Sequence, residues 1–353
     1  MSTGKVKNLQ DLADLAGVSR ATASRALNNS SLISAKTRNR LQQLAQKHHY
    51  TVNLKARDFR LRRKRVISVV FMFDVKSKQH MSDPFFLEML GGIADCLADH
   101  DYDLLLAHAP VFDVGKLQQS RVFQSADGVI FVGQGEQHKA LDALVEHSTP
   151  IVVWGAPVAN RHYVLVGGDN EGGGYRATKH LLETGRQRIA FLGNTRNPEI
   201  SARFTGFQRA LAEAGIVTER QLVFDVPFDM ENAKEVTRRV LESASTFDAL
   251  VCASDVVALA AISSLADIGL QVPQDVAVVG YDDIGLAAFS TPSLTTIRQN
   301  IRGAGQALVE SILGLVNEQP VGDSVLPSEL IVRQSSATAH PSANGPEIRR
   351  TEP

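Results

Sequence analysis

From position 66 onward, short apolar segments alternate with amphipathic segments of helical periodicity. Apolar runs of about four to eight residues bounded by turn residues favour strands, whereas apolar positions about three or four residues apart favour helices. The pattern predicts strands at 66–73, 104–108, 128–132, 151–154, 188–192, 249–253 and 277–281. It predicts helices at 85–99, 139–147, 172–185, 204–214 and 256–268. Repeated strand and helix units form parallel sheets covered by helices on both faces, and the chain length fits two such sheets.

The apolar positions near the N-terminus have a helical spacing without intervening strands. Asn8 can cap the start of a helix, Gly17 permits a sharp turn, and Ser19 can cap a second helix that begins at Arg20. The apolar face of the first helix consists of Leu9, Leu12, Ala13, Leu15 and Ala16. A third helix is predicted from Ser34, with apolar positions at Leu41, Leu44 and Ala45. This is the pattern of a helix-turn-helix closed by a third helix.

Charge divides the chain at Arg65. Residues 1–65 contain 15 Lys and Arg against three Asp, which gives a formal charge of +12. Since the whole chain carries −1, the remainder carries −13. A basic head on an acidic body indicates a polyanionic partner for the head, because phosphate neutralisation supplies the sequence-independent part of DNA affinity. Charge alone also fits RNA or anionic lipid, but the helix-turn-helix favours double-stranded DNA.

The start of the second helix carries the predicted DNA contacts. A guanidinium can donate two parallel hydrogen bonds to guanine, so Arg25 and Arg20 are candidates for reading bases, while Ala21 could contact a thymine methyl group. Short polar side chains suit phosphate oxygens, although some of them could serve only as helix caps. The candidates for phosphate contacts are Ser19, Thr22, Ser24 and Asn28.

Several stretches of the head resemble the LacI/GalR family of transcription regulators. They are DLA at 11–13, AGVS at 16–19, TASRALN at 22–28 and SAKTR at 34–38. The resemblance implies that Arg20, Ala21 and Arg25 occupy the base-reading positions. It extends the set of DNA contacts to Ser34, Thr37, Tyr50, Asn53, Ala56, Arg57 and Phe59.

Residues 53–65 contain seven basic residues and one acidic residue. They resemble the hinge helix of the same family, which folds when two subunits bind an operator. Val52 stands where the family usually has Pro, and Phe59 stands where it has a minor-groove Leu. Phe59 could be inserted between base pairs and kink the duplex, since apolar wedges do this in other DNA-binding proteins. The alternative is that Phe59 packs against the second subunit.

Polar side chains follow several predicted strands of the α/β part. Ligands of such sheets bind beyond the carboxyl ends of the strands, and the cleft between two lobes is the natural site. The stretches VGYDD at 279–283 and PSLTTI at 292–297 resemble the effector domain of the LacI/GalR family, which is related to periplasmic sugar-binding proteins. Carboxylates, an arginine and aromatic faces suit a polyhydroxylated ligand, while purines and sugar acids remain alternatives. The resemblance implies effector contacts at Phe85, Arg203, Phe228, Ser254, Asp255 and Asp282.

The predicted organisation is an all-α helix-turn-helix head at 1–52, a hinge at 53–65 and an α/β effector domain at 66–335. The effector domain is expected to contain two doubly wound parallel-sheet lobes, as in type I periplasmic binding proteins. The first lobe is predicted at 66–167 and 294–324, and the second at 168–293 and 325–335. Residues 336–353 are predicted to form a disordered tail.

The expected function is that of a homodimeric transcription regulator, a repressor in the simplest form, which binds a pseudo-palindromic operator under the control of a sugar or glycoside. The alternative is a solute-binding transport protein of the same fold, which the basic head and the missing signal peptide disfavour. No catalytic, metal or cofactor site is predicted, because the dinucleotide fingerprint at 133–135 is incomplete and the histidines lack ligand spacing. Apolar runs far shorter than the ~20 residues of a membrane span, with only two cysteines, predict a cytoplasmic protein.

Overall fold

The chain divides into two compact units, residues 1–64 and 65–353. The computed structural model describes residues 9–27, 32–48, 63–72, 80–108, 117, 119–135, 137–146, 149–226, 230–243 and 247–336. Most of the predicted hinge and nearly all of the predicted tail lie outside these residues. No helix within the described ranges has both the length and the apolar character that a membrane span requires.

The described part of the first unit contains three helices: α1 (Leu9–Ala16), α2 (Arg20–Leu27) and α3 (Ala35–Lys47). Helix α1 ends at Gly17, whose φ of 63° lies in the left-handed region that glycine adopts without strain. The backbone amide of Val18 then donates to the carbonyl oxygen of Ala13 at 3.0 Å, which closes the turn. The three helices bury a small core of Leu12, Ala13, Ala16, Ala23, Ala26, Leu41 and Ala45. The helix-turn-helix prediction is therefore confirmed.

The first sheet of the second unit contains six described strands, all parallel to their neighbours. They are β1 (Val66–Phe71), β2 (Asp103–His108), β3 (Gly128–Val132), β4 (Ile151–Trp154), β5 (Val164–Gly168) and β11 (Ser324–Leu326), in the order β11-β5-β4-β3-β1-β2. Helices of this lobe are α4 (Pro84–Asp99), α5 (Arg121–Gln124), α6 (His138–Leu144) and α11 (Ile301–Val316). The central strands read as continuous apolar runs because helices cover both faces of the sheet.

The second sheet repeats this architecture with six strands among the described residues. They are β6 (Ile189–Leu192), β7 (Val223–Phe224), β8 (Ala249–Cys252), β9 (Ala277–Asp282), β10 (Thr295–Gln299) and β12 (Ser328–Ile331), in the order β12-β10-β9-β8-β6-β7. Strand β12 is antiparallel to β10, whereas the other pairs are parallel. The helices are α7 (Asn170–Glu183), α8 (Pro198–Glu213), α9 (Met230–Ser243) and α10 (Asp255–Asp267). The two predicted doubly wound sheets are both present among the described residues.

The chain crosses between the two lobes after β5, after β10 and between β11 and β12. The predicted boundary at 294 placed β10 in the first lobe, but β10 pairs with β9 and β12 and belongs to the second sheet. The crossing occurs instead at Asn300, which caps α11 by accepting a hydrogen bond from the amide of Gly303 at 3.0 Å. Helix α11 then packs on the first sheet.

Two glycines let helices α7 and α8 touch each other. A Cβ at Gly174 would overlap the carbonyl oxygen of Arg203, and a Cβ at Gly206 would overlap the carbonyl oxygen of Glu171. Only glycine permits this separation, so the two helices pack backbone to backbone. The contact fixes the position of α8, which carries the buried Arg203.

Candidate functional site

A cleft opens between the two lobes at the carboxyl ends of their strands. In each sheet the strand order reverses at the first strand of the lobe, between β1 and β3 and between β6 and β8, and doubly wound sheets bind ligands at such points. The cleft encloses a cavity of about 110 Å³. It is lined from the first lobe by Met72, Asp83, Phe85, Phe86, Gly133, Gly135 and Trp154, and from the second by Asn197, Glu199, Ile200, Arg203, Ser254 and Asp282.

Arg203 is the cation in this wall, and it is held on several sides. Its side chain is nearly buried, with 9% exposed, on the face of α8 that turns inward. Nε donates to Asn170 Oδ1 at 2.8 Å, and Nη1 donates to the carbonyl oxygen of Ala253. The guanidinium carbon also lies 3.7 Å from the ring centroid of Tyr281, a cation–π contact. The arginine is therefore preorganised at the cleft wall before any ligand arrives.

Asp282 lies beside this arginine at the end of β9. Its Oδ1 is 4.0 Å from Arg203 Nη1 and accepts a hydrogen bond from Gln299 Nε2 at 2.8 Å. Burial raises the pKa of the Asp282 carboxyl to about 7, although Arg203 and Gln299 both oppose the shift. Its φ of 115° is unusual for a residue other than glycine. A carboxyl that titrates near neutrality at a cleft wall is a candidate ligand contact.

The first lobe contributes aromatic faces and a second carboxyl. Asp83 caps α4 by accepting a hydrogen bond from the amide of Phe85 at 2.9 Å. Burial raises the pKa of Asp83, and that hydrogen bond opposes the shift. The Phe85 ring packs 5.6 Å from Phe86 and 6.4 Å from Trp154 between centroids. These rings give one wall of the cleft an apolar surface on which the flat side of a small molecule can stack.

Glu199 is a cleft residue that the sequence prediction missed. It lies in the first turn of α8, which begins at Pro198 rather than at the predicted residue 204. Burial raises the pKa of its carboxyl, opposed by its own backbone amide, by Arg203 and by the backbone amide of Gln134 from the first lobe. The proline was the available signal, because proline is favoured at the first helical position. A helix that starts there carries both Glu199 and Arg203 to the cleft.

Of the other predicted effector contacts, Ser254 lines the cleft, whereas Asp255 does not. Ser254 caps α10 by accepting a hydrogen bond from the amide of Val257 at 3.3 Å. Asp255 is fully buried and bonded internally: Oδ1 accepts from Thr296 Oγ1 at 2.5 Å and Oδ2 accepts from the amide of Ile284 at 2.9 Å. The assignment of Asp255 to the effector site is corrected to a role in joining α10 to the strand ends. The remaining predicted contact, Phe228, lies outside the described residues.

The helix-turn-helix presents the predicted base-reading side chains to solvent. Arg20, Ala21 and Arg25 are exposed on α2, opposite the buried Ala23 and Ala26. This division of the helix follows from its packing, because the two alanines face α1 and α3 in the core. The exposed face carries two guanidinium groups, which are able to donate paired hydrogen bonds to a guanine edge.

The predicted phosphate contacts on α2 and α3 form two similar helix caps. Ser19 Oγ accepts from the amide of Thr22 at 3.1 Å and lies 2.9 Å from the hydroxyl of that threonine. Ser34 and Thr37 repeat the arrangement at the start of α3, with distances of 3.3 and 2.9 Å. Ser24 is partly buried on α2. The predicted contacts Asn28, Tyr50, Asn53, Ala56, Arg57 and Phe59 lie outside the described residues.

Two family profiles match the chain in these same regions. Residues 8–53 match the profile described as bacterial regulatory proteins, lacI family. Residues 178–336 match the profile of a periplasmic binding protein-like domain. The first match covers the helix-turn-helix, and the second covers most of the second lobe together with α11 of the first.

Individual relatives match nearly the whole chain. The HTH-type transcriptional regulator CelR of Thermobifida fusca is 32% identical over 335 residues, which cover 93% of this chain and 97% of the relative. The HTH-type transcriptional repressor PurR of Aliivibrio salmonicida is 29% identical and covers 88% of this chain and 92% of the relative. The solved structure of a transcriptional regulator CelR–cellobiose complex superposes with a TM-score of 0.70 at 29% identity, covering 93% of this chain and 99% of that one.

Proposed function

This chain belongs to the LacI family of bacterial regulatory proteins, and we propose that it is a repressor whose operator affinity is set by a carbohydrate bound in the cleft between the lobes. The observation that carries the proposal is that one chain contains both a helix-turn-helix, with α2 as its reading helix, and a ligand-sized cleft. A reading helix exposes Arg20 and Arg25, and a cleft holds a buried Arg203–Asp282 pair opposite aromatic rings.

A carbohydrate suits the cleft for chemical reasons. Sugar hydroxyls both donate and accept hydrogen bonds, and Asp282 can accept them while Arg203 and Ser254 can donate. The Phe85 and Trp154 rings can cover an apolar sugar face. The relative that was solved in complex with cellobiose supports a saccharide as the effector class.

On the DNA side, we propose a homodimer whose two reading helices enter successive major grooves of a pseudo-palindromic operator. Arg20 and Arg25 would contact guanines and Ala21 a thymine methyl group. The phosphate and hinge contacts stay assigned as predicted, at Ser19, Thr22, Ser24, Asn28, Ser34, Thr37, Tyr50, Asn53, Ala56, Arg57 and Phe59. The proposal keeps the head at 1–52, the hinge at 53–65 and the effector domain at 66–335.

The effector would control operator affinity through thermodynamic linkage between the two binding sites. A ligand shifts an equilibrium only by its differential affinity for the two states, so the saccharide must bind the operator-bound and operator-free forms unequally. The proposal places the protein in the cytoplasm with its DNA, and it assigns no chemical step and no cofactor to the cleft.

The test uses the full-length protein and DNA selected from a library with two randomised half-sites. Fluorescence anisotropy compares the selected duplex with a scrambled duplex of the same composition across a salt series. We expect a specificity ratio of about 10³ or more that persists as salt rises. Equal affinity for both duplexes would contradict the proposal.

The second arm titrates the protein–operator complex with cellobiose, glucose, galactose and ribose. At least one of these sugars should change operator affinity at least about fivefold, the lower end of common coupling energies. The matched control is Asp282→Asn, which should bind operator normally and lose the response. A protein that binds operator but responds to none of the sugars would refute the carbohydrate assignment. Light scattering on the complex should give two chains for each operator.

A further inference from the structure

We propose that the cleft selects an effector that bears hydroxyl groups and no negative charge, and that Glu199 and Asp83 enforce this selection. The inference rests on the proposed function and narrows its ligand class. Phosphorylated sugars and sugar acids, which would also satisfy a hydroxyl-binding cleft, are the ligands that it excludes.

The charges of the described cleft wall are unequal. Three carboxyls line it, one from the start of α4, one from the first turn of α8 and one from the end of β9, against a single guanidinium. These are Asp83, Glu199 and Asp282 against Arg203. Since the carboxyls come from three separate elements, they surround the cavity from both lobes. An anionic group placed between them would meet like charges at short range.

Arg203 is poorly placed to compensate for them. Recognition of a phosphate or carboxylate by arginine normally uses two parallel N–H donors. Here Nε is bonded to Asn170, Nη1 is bonded to the carbonyl oxygen of Ala253, and Asp282 lies 4.0 Å away as a counter-charge. The side-on contact through Nε and Nη2 would therefore require the anion to displace Asn170, and a contact through Nη1 would lie beside the Asp282 carboxylate.

Helix N-termini are the other usual anion-binding groups, and three helices begin at this cleft. At each of them the chain itself already bonds or removes one of the free backbone amides. Asp83 accepts from the second residue of α4, and Ser254 accepts from the amide of Val257 in α10. Helix α8 begins with Pro198, which has no N–H, and the Glu199 carboxyl accepts its own backbone amide. Two of these three helix starts thus hold a carboxylate of the protein where an anionic ligand would otherwise bind.

The protonation behaviour of the cleft agrees with this geometry. Burial already raises the pKa of Asp83, Glu199 and Asp282. A bound anion would raise them further, so its binding is linked to proton uptake and weakens as pH rises. Neutral sugars make no such demand, because their hydroxyls donate to the carboxylates. An amino sugar would be attracted.

The test is calorimetry on the full-length protein with matched pairs of ligands. The pairs are glucose with glucuronate, galactose with galacturonate, ribose with ribose 5-phosphate, and cellobiose with cellobionate. In every pair that binds, the neutral member should bind at least about tenfold more tightly at pH 8. Glucosamine should bind at least as tightly as glucose if glucose binds.

The variants Glu199→Gln and Asp83→Asn each remove one carboxylate from the cleft wall, so they test the two residues separately. Each should reduce the preference for the neutral member at least about threefold, because it removes one like charge. The matched control is Glu213→Gln at the other end of α8, where the carboxylate is exposed and accepts from Tyr175 Oη at 2.7 Å. This control should leave the preference unchanged. In the wild-type protein, binding of the anionic member should strengthen from pH 8 to pH 6.

The possible failures are distinct. An anionic member that binds more tightly than its neutral partner would overturn the inference and leave a sugar-responsive repressor intact. An unchanged preference in both Glu199→Gln and Asp83→Asn would overturn the assignment of these residues. If no member of any pair binds, the carbohydrate effector itself is refuted, and the inference falls with it.

Discussion

Replacing Asp282 by Asn should stabilise the protein at alkaline pH while it weakens effector binding. Burial raises the pKa of this carboxyl from 3.8 to about 7, against the pull of Arg203 and the hydrogen bond from Gln299. The folded protein therefore holds this proton more tightly than the unfolded chain does. The stabilisation is complete below about pH 4 and is lost as pH rises through about 7. Above that, folding keeps a charged carboxylate in a poorly solvated place.

The size of the effect follows from the shift. A difference of about three pKa units, at 1.36 kcal/mol for each unit, corresponds to about 4 kcal/mol between acidic pH and pH 8. Asparagine is neutral throughout this range, and its carbonyl oxygen can still accept the hydrogen bond from Gln299. It also tolerates the positive φ of this position about as well as aspartate. The variant should therefore avoid most of the penalty at pH 8 and gain little at pH 4.

Urea denaturation can be followed by the fluorescence of Trp154, the single tryptophan of the chain, which lines the same cleft. The difference in unfolding free energy between variant and wild type should grow from near zero at pH 4 to about 4 kcal/mol at pH 8. A gain of this size corresponds to a rise in Tm on the order of 10 °C. A difference that does not vary with pH, or a variant that is less stable at pH 8, would refute the reasoning.

The neighbouring Asp283 supplies the matched control. Its carboxylate accepts from Arg298 Nε and Arg333 Nη2, each at 2.7 Å. Asp283→Asn weakens two ion pairs at a buried carboxylate and should lower stability at pH 8, opposite in sign to Asp282→Asn. The same chemical change at adjacent positions then distinguishes Asp283, whose carboxylate stabilises the fold, from Asp282, whose carboxylate destabilises the fold at pH 8 and lines the cleft.

Three further predictions concern other parts of the chain. Arg25→Ala should cost about 1–3 kcal/mol of discrimination between selected and scrambled duplexes without changing effector binding, as measured by anisotropy and calorimetry. Leu12→Ala removes a fully buried head side chain and should lower the stability of the head by about 2–5 kcal/mol, so that DNA binding is lost on mild heating while sugar binding persists. Gly206→Val should prevent α8 from packing on α7, because its Cβ would overlap the carbonyl oxygen of Glu171, and the cooperative thermal transition of the effector domain should move to a markedly lower temperature.

The head and most of the central strands were predictable because their signals are local or complete, whereas the interior strands β5 and β10 were missed. Gly17 and the two serine caps determine where the head helices begin and end, and they act within a few residues. Strands such as β3 and β4 are buried on both faces, so every position along them is apolar. The edge strand β2 was predicted from its apolar run, but β7, β11 and β12 gave no such signal. Strand β7 has only two residues, and β11 and β12 are partly exposed.

Helix α11 was missed for a different reason. It begins Ile301-Arg-Gly-Ala-Gly, and glycines near a helix start read as a loop in the sequence. The structure shows the constraint that outweighs propensity, since a Cβ at Gly305 would lie 2.7 Å from the backbone of Gly92 in α4. The close packing of α11 on α4 therefore requires glycine at position 305. The local sequence of α11 does not indicate that α4 packs against it.

The sequence predicted where the cleft lies, but it did not predict which side chains at the strand ends point into the cleft. Arg203, Ser254, Asp282 and Phe85 were all expected there, because the topology brings strand ends and helix starts together. Ser254 and Asp255 are adjacent, however, and the helix start that joins them points one toward the cavity and the other into the core. Ser254 is the extended residue that caps the helix and Asp255 is the first helical residue, so an error of one position exchanges a cleft-lining residue for a buried one.

The energetically unfavourable features of this cleft are concentrated at two residues, Asp282 and Gln299. Asp282 combines a φ of 115° with a pKa near neutrality, and Gln299, which donates to it, has a buried Oε1 with no hydrogen-bond partner among the described residues. A buried acceptor left unpaired costs about 1–3 kcal/mol, and a strained backbone residue costs a similar amount. Gln299 ends the strand before one crossing between the lobes, and its Oε1 faces Gly168, which ends the strand before another. The unfavourable groups therefore lie together at the cleft and next to two of the crossings between the lobes. Such a concentration of locally unfavourable features is typical of a functional site.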